Sequence, residues 1–324
     1  MRYMGIDVGS VSTNFVLIDE YMNVEEQLYL KTGGDPLKAV KEGLKQLGAN
    51  WSVGHIGGVG TTGSGRALAG AVVGSDVVKN EITCHAVAAA AIDPEIRTVL
   101  EIGGQDSKII LLKDGIISDF AMNTVCAAGT GSFLDRQAER LGIRVDQLGE
   151  YAVKAKSPAK IAGRCAVFAE SDIIHKQQMG CKSEDIIAGM SAAMVRNYLS
   201  NVAKGKRIEG KICFQGGVAA NLGIKKAFEE ALDTEIIVPR YHKVMGAYGA
   251  AIMAKEKMEV ASELTSFHGF ITGRKNIEVA TFHCHDCGNQ CEVTVLSSEG
   301  ERLGCFSDRC GKHQNSLTSR LYNI

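Results

Sequence analysis

Met4-Gly5-Ile6-Asp7-Val8-Gly9-Ser10-Val11-Ser12-Thr13-Asn14-Phe15-Val16-Leu17-Ile18 reads as an apolar strand, a tight Gly/Ser turn entered by an acid, and a second apolar strand ending before Asp19. Leu100-Glu101-Ile102-Gly103-Gly104-Gln105-Asp106-Ser107-Lys108-Ile109-Ile110-Leu111-Leu112 repeats the plan about a hundred residues later. Ile212 to Asn221 adds a third strand whose Gly216-Gly217 turn opens a helix. Such turns present backbone N–H groups and hydroxyls to phosphate, and an acid beside them offers a carboxylate to Mg²⁺. One glycine turn is only a turn; two acid-bearing ones and a third form a nucleotide pattern. Candidate ligands are Gly9, Ser10, Ser12 and Thr13 in the first turn, with Gly103, Gly104, Gln105, Ser107 and Lys108 in the second. Asp7 and Asp106 are the candidate metal-organising acids.

Two cysteines are set in glycine-rich stretches ahead of helical patterns: Asn123-Thr124-Val125-Cys126-Ala127-Ala128-Gly129-Thr130-Gly131 and Ala162-Gly163-Arg164-Cys165-Ala166-Val167-Phe168. A thiolate at a helix N-terminus is favoured by unpaired N–H groups and the positive end of the helix dipole. Two are half of what a [4Fe–4S] cluster needs, and a two-fold homodimer supplies the other half. The competing assignment is two buried apolar cysteines.

The motif spacing resembles the superfamily of acetate and sugar kinases, actin and chaperones. Asn123 to Leu134, Ala162 to Asp172 and Glu81-Ile82-Thr83-Cys84-His85-Ala86 narrow the resemblance. They are similar to the ATP-dependent activators of 2-hydroxyacyl-CoA dehydratases, relatives of the ATPase subunits of benzoyl-CoA reductase, over about residues 1 to 256. The resemblance implies an α/β, two-lobed, actin-like (ribonuclease-H-like) ATPase fold. It implies ATP/ADP with Mg²⁺ organised by Asp7 and Asp106, and Gly216, Gly217 and Asn221 bordering the adenosine. It further implies that Cys126 and Cys165 hold a [4Fe–4S] cluster shared across a homodimer. ATP hydrolysis would then drive an electron onto a cluster-bearing dehydratase or reductase, with ferredoxin or flavodoxin as donor. The alternatives are a small-molecule kinase of the same superfamily and an ATP-binding redox-sensing regulator. A kinase has no use for two cysteines at helix starts.

Composition agrees. The 324 residues suffice for two lobes, and a net charge of −1 leaves no electrostatic footprint for nucleic acid. Apolar runs fall short of a membrane span and no signal-peptide pattern opens the sequence. Ten cysteines are therefore read as those of a reducing cytoplasm, where they ligate metal or clusters. The first lobe is expected over 1–95, completed by a helix at 241–257 whose small residues permit close packing, and the second over 96–240. Cys84 and Cys213 read as core, and His85, His175 and His242 as structural.

A cysteine-rich tail over 262–324 begins with a polar link near Ser262 to Lys275. Cys284-His285-Asp286-Cys287-Gly288 is a metal knuckle, followed by a hairpin pattern and then Cys305 and Cys310-Gly311. So short a module builds little core alone and calls for a metal. Cys284, Cys287, Cys305 and Cys310 form the simplest tetrahedral set, for zinc first and an iron–sulfur centre or no metal otherwise. Cys291 either replaces one of them or is an inward strand residue. All nucleotide and cluster motifs precede residue 260, so the tail is expected to be dispensable to them.

Overall fold

The structure, a computed structural model, describes residues 1–123, 129–261 and 263–315. The chain divides into two compact units, Met1–Cys84 with the chain from Gly246 onward, and His85–Met245. The first unit holds strands β1 (Arg2–Val8), β2 (Ser12–Ile18), β3 (Val24–Lys31), β4 (Ile56–Thr62) and β5 (Val77–Val78). Its sheet runs β3-β2-β1-β4-β5, with β1–β2 and β2–β3 antiparallel and β1–β4 and β4–β5 parallel. The second unit holds β6 (Ile96–Ile102), β7 (Ser107–Lys113), β8 (Ile116–Asn123), β9 (Lys211–Gln215) and β10 (Ile236–Ile237), in the order β8-β7-β6-β9-β10. Its pairings alternate in the same sense. The two motif hairpins are thus equivalent edges of one duplicated plan, a hairpin followed by parallel additions.

The helices are cut where local chemistry stops them. α1 (Pro36–Asn50) starts with proline at its first turn, and the Asp35 carboxylate caps it by accepting from the Lys38 N–H at 2.9 Å. Its Ala39, Val40, Leu44 and Leu47 stripe joins the core of the first sheet, with Met4, Ile6, Phe15 and Leu17. α2 (Arg66–Val73) and α3 (Glu81–Ile92) follow in the chain. The second unit's helices are α4 (Gly131–Leu141), α5 (Leu148–Val153), α6 (Ala166–Gln178), α7 (Ser183–Asn201) and α8 (Leu222–Leu232). α7 lies at the centre of that core, burying Ile186, Ile187, Met190, Met194 and Tyr198.

α9 (Met245–Ala261) starts four residues later than the sequence suggests. Pro239 to Val244 turn instead, and the carbonyl of His242 is taken by the Gly216 N–H at 2.9 Å. A Cβ at Gly5 would strike the carbonyl of Ala247, and one at Gly60 that of Ala250. Glycines in β1 and β4 thus let α9 lie directly on the first sheet.

The tail forms a three-stranded antiparallel sheet, β11 (Glu278–His283), β12 (Glu292–Ser298) and β13 (Glu301–Phe306), then α10 (Lys312–Asn315). The segment from 263 to 275 is no free link. Phe267 and Phe270 are buried in the first sheet's core, and Asp76 binds the Thr265 hydroxyl at 2.7 Å and the Ser266 N–H at 2.8 Å. Burial of these two aromatic side chains outweighs the polar composition around them. β12 serves two cores. It buries Val293 with Cys284, Cys291 and Cys305, and buries Leu296 in the first sheet's core. Three residues apart, Val293 and Leu296 lie on opposite faces of the strand, so each face meets its own core. No helix among the described residues is long and apolar enough to cross a membrane.

Candidate nucleotide and cluster sites

The first turn is a braced hairpin. The Gly9 N–H donates to the Ser12 carbonyl at 2.9 Å, and Thr32 donates its hydroxyl to the Gly9 carbonyl at 2.8 Å. The buried Thr13 hydroxyl is 3.0 Å from that of Thr32, so it supports the turn from within. Ser10 is exposed and Ser12 half-buried at the turn itself. Asp7 lies between Asn14 and Thr62 in the sheet register. Its two carboxylate oxygens lie where a Cβ at Gly63 or Gly246 would collide with them. The α2 loop is tied to the same strand end, with the Gly65 N–H on the Val8 carbonyl at 2.8 Å and the Ser64 hydroxyl on it at 3.3 Å. An acid packed this closely is fixed in its orientation.

The second turn closes with the Gly103 N–H on the Asp106 carbonyl at 2.9 Å. Lys108 is only 2% exposed and is shared by Asp106 at 2.8 Å and Glu101 at 3.0 Å. Its ammonium therefore fixes the acid of this turn from below. Glu101 is a residue that sequence reasoning missed. Burial pushes its carboxyl above the ordinary range, and the Lys108 charge opposes that shift. A Cβ at Gly216 would sit 2.8 Å from Glu101 Oε1 and one at Gly103 3.2 Å from it, so one carboxylate underlies both glycine turns. Gly216 has φ +90°, a left-handed conformation suited to glycine. Gln215 pairs with Glu101 in the sheet and takes His85 Nδ1 at 2.7 Å. Ser107 is buried, Gly104 half-buried and Gln105 exposed. Asn221 caps α8, its side-chain oxygen accepting from the N–H groups of Gly223 at 3.0 Å and Ile224 at 3.1 Å. Gly217 opens the short 3₁₀ turn before it.

Cys126 lies outside the described residues. The described helix that follows it is α4, which begins at Gly131 with Thr130 as N-cap. Its first turn is fixed to the second glycine-rich hairpin: the Gly131 N–H donates to the Gly103 carbonyl at 2.8 Å, and the Ser132 N–H and hydroxyl donate to the Gly104 carbonyl at 2.8 and 2.5 Å. Cys165 does stand at a helix start, as N-cap of α6, half-buried and in no disulfide. The turn before it is held by α7. Asn197 Nδ2 donates to the Gly163 carbonyl at 2.6 Å and Arg196 to that of Ile161 at 2.7 Å, while the Ala162 N–H donates to Asp172 at 2.7 Å. Val167 and Phe168 next to it are 68% and 66% exposed. Cys84 and Cys213 are buried and burial pushes each thiol up to about 12, which leaves them inert.

In the tail, Cys284, Cys291 and Cys305 are buried together, whereas Cys287 and Cys310 are exposed. The described ligand atoms that converge are those of Cys284, Asp286 and His313, all within 4.8 Å of one another. His313 carried no weight in the sequence, because its position opposite Cys284 depends on the whole length of the intervening hairpin.

The model of the BadF/BadG/BcrA/BcrD ATPase family matches residues 4–254. The chain belongs to that family. It is 34% identical over 257 residues to the (R)-2-hydroxyglutaryl-CoA dehydratase activating ATPase of Acidaminococcus fermentans, covering 78% of this chain and 97% of that one. The crystal structure of component A of that dehydratase superposes with a TM-score of 0.74 at 33% identity, over 80% of this chain and 99% of that chain. The activator of the 2-hydroxyisocaproyl-CoA dehydratase from Clostridium difficile, with bound ADPNP, gives 0.74 at 32% identity, over 81% and 97%. This family member is therefore an ATP-hydrolysing activator of the actin-like ATPase fold. The family match ends ahead of the cysteine-rich tail.

Proposed function

We propose that this ATPase is a one-electron donor to a partner iron–sulfur enzyme: a 2-hydroxyacyl-CoA dehydratase, a benzoyl-CoA-reductase-like enzyme or a double-cubane-cluster protein. In this reading two copies of the chain share one [4Fe–4S] cluster through Cys126 and Cys165 of each, ferredoxin or flavodoxin resupplies the electron, and the protein works in the cytoplasm. Asp7 and Asp106 organise Mg²⁺ and phosphate, and Gly216, Gly217 and Asn221 border the adenosine of ATP or ADP. The observation that carries the reading is Cys165: a thiol outside any disulfide at the N-cap of α6, braced from α7 and flanked by the exposed Val167 and Phe168. Isolated exposed apolar pairs are ordinary, but this pair borders the cysteine that is the N-cap of α6.

The residue types fit the groups. Carboxylates and main-chain N–H groups suit a hard cation and phosphate, and a thiolate suits iron. When bound, the cluster supplies a single low-potential electron. The chain's own part is to connect nucleotide and cysteine. The Gly103–Gly104 turn that would meet phosphate is hydrogen-bonded to the first turn of α4, and that helix follows the Cys126 stretch directly. A shift of the Asp106 turn on hydrolysis is therefore transmitted to α4 through these main-chain and Ser132 hydroxyl bonds. Lowering a one-electron potential by about 200 mV costs about 5 kcal/mol.

The test reduces the anaerobically purified protein with titanium(III), adds a candidate partner, and follows cluster oxidation with ATP, ADP or no nucleotide. Transfer only with ATP is the expected result. Equal transfer in all three arms would move the protein to the redox-sensing class, and a colourless, iron-free dimer would leave the kinase.

A further inference from the structure

We propose that the tail holds one structural zinc ion on Cys284, Cys287, Cys310 and His313, a three-thiolate, one-imidazole site at one end of the tail sheet, tying the β11–β12 turn to the segment after β13. The juxtaposition that carries it is His313 Nε2 at 3.2 Å from Cys284 Sγ, across 29 residues of chain. That contact pairs two zinc-ligand types that flank the open end of the β12–β13 hairpin. Around it the sequence shows matched knuckles, Cys284-x₂-Cys287-Gly288 and Cys310-Gly311-Lys312-His313. Gly311 has φ +72°, which permits the tight turn between the second pair. Inside the knuckles, Lys312 and Asp286 form an ion pair of 2.6 Å, so the two loops already face one another. The pairing also accounts for Asp286, which lies near Cys284 but has its charge matched by lysine; thiolate and imidazole are the preferred zinc ligands.

The remaining cysteines are wall rather than ligand. Cys305 lies inside β13 opposite Val295 and is buried with Val293. Cys291 is buried beside it, and its sulfur accepts the Arg309 N–H at 3.4 Å. The set with Cys305 would combine a C-x₂-C knuckle with a C-x₄-C pair, one member of which is fixed in a strand. Replacing Cys305 by His313 gives equal spacing on both sides and uses the two exposed cysteines, Cys287 and Cys310, which are free to turn inward. Because β12 also buries Leu296 in the core of the first sheet, the ion would close the far end of a sheet that the ATPase unit already uses. The site is independent of the electron-transfer reading and stands if that reading fails.

Zinc analysis of the full-length chain should give one ion per chain, measured apart from iron. X-ray absorption at the zinc edge should show three sulfur neighbours near about 2.3 Å and one nitrogen near about 2.0–2.1 Å. His313→Cys should keep the ion with a four-sulfur shell, and His313→Ala should lose it to a chelator that leaves the parent chain loaded. Cys305→Ser and the exposed-site control His285→Ala should retain the parent spectrum. Absence of zinc, a four-sulfur shell in the parent chain, or loss of zinc in Cys305→Ser would each overturn the assignment. The parent spectrum decides even if a variant fails to fold.

Discussion

Lys108 sits under the second glycine-rich turn with carboxylates on both sides, Glu101 and Asp106, and is almost fully buried. Lys108→Met leaves the fully buried Glu101 without its counter-charge, and breaking such a pair costs about 3–5 kcal/mol. The sign with pH follows from burial, which raises the Glu101 carboxyl above its ordinary value of 4.5. Above that value the unfolded chain has released a proton that the folded variant holds, so stability falls as pH rises. The deficit against the parent should be largest at neutral pH and shrink toward about pH 5. Urea unfolding of both proteins at the two pH values measures it. Cys165→Ser belongs to the same scale. It keeps the N-cap, since serine caps as well as or better than cysteine, and should leave thermal stability within about 0.5 kcal/mol while removing the oxygen-labile iron. Iron near four per dimer in this variant would sink the cluster assignment.

At the scale of elements, the informative joint is α4 on the Gly103–Gly104 turn. Ser132→Ala deletes a hydroxyl bond of 2.5 Å to the Gly104 carbonyl while leaving the N–H bonds in place. A stability loss of about 0.5–1.5 kcal/mol is expected. The specific readout is different: ATP hydrolysis should persist while its coupling to electron transfer falls, since turn and helix then move less as one piece. Unchanged transfer per ATP hydrolysed in Ser132→Ala would show that the signal runs elsewhere. The α7 bonds to Gly163 and Ile161 form the matching joint on the Cys165 side, and they explain why α7 carries an asparagine and an arginine among its buried apolar residues.

For the molecule as a whole, the tail is the revision. Read as a sequence it is dispensable, since the motifs end before it. Folded, it contributes Phe267, Phe270 and Leu296 to the core of the first sheet. Each such side chain is worth about 1.5–3 kcal/mol when buried, and a domain has only about 5–15 kcal/mol in total. A chain ended at residue 262 should therefore melt well below the parent or fail to fold, and one ended at residue 276 should recover part of the loss. Differential scanning calorimetry of the three proteins decides; equal melting temperatures would mean that the two phenylalanines cover the sheet without stabilising it.

The sequence by itself determined the duplicated hairpin plan, the two acids and the family, because each is local. A Gly-rich turn between apolar strands, or an acid at a strand end, is written within a dozen residues. It also marked Cys165 as a helix start, which depends only on the residues that follow. Tertiary structure alone decided the rest. Glu101 lies beneath Gly103 and Gly216 only because β6 and β9 pair in parallel. Lys108 becomes a buried clamp rather than a surface cation because the β6–β7 pairing sets it opposite the buried Glu101. The turn before α9 and the use of the tail in the first core are settled by contacts made across scores of residues. His313 meets Cys284 only once β12 and β13 have folded back on each other. Spacing along the chain carries no record of such closures, because a hairpin's length and register are fixed by the packing of its faces.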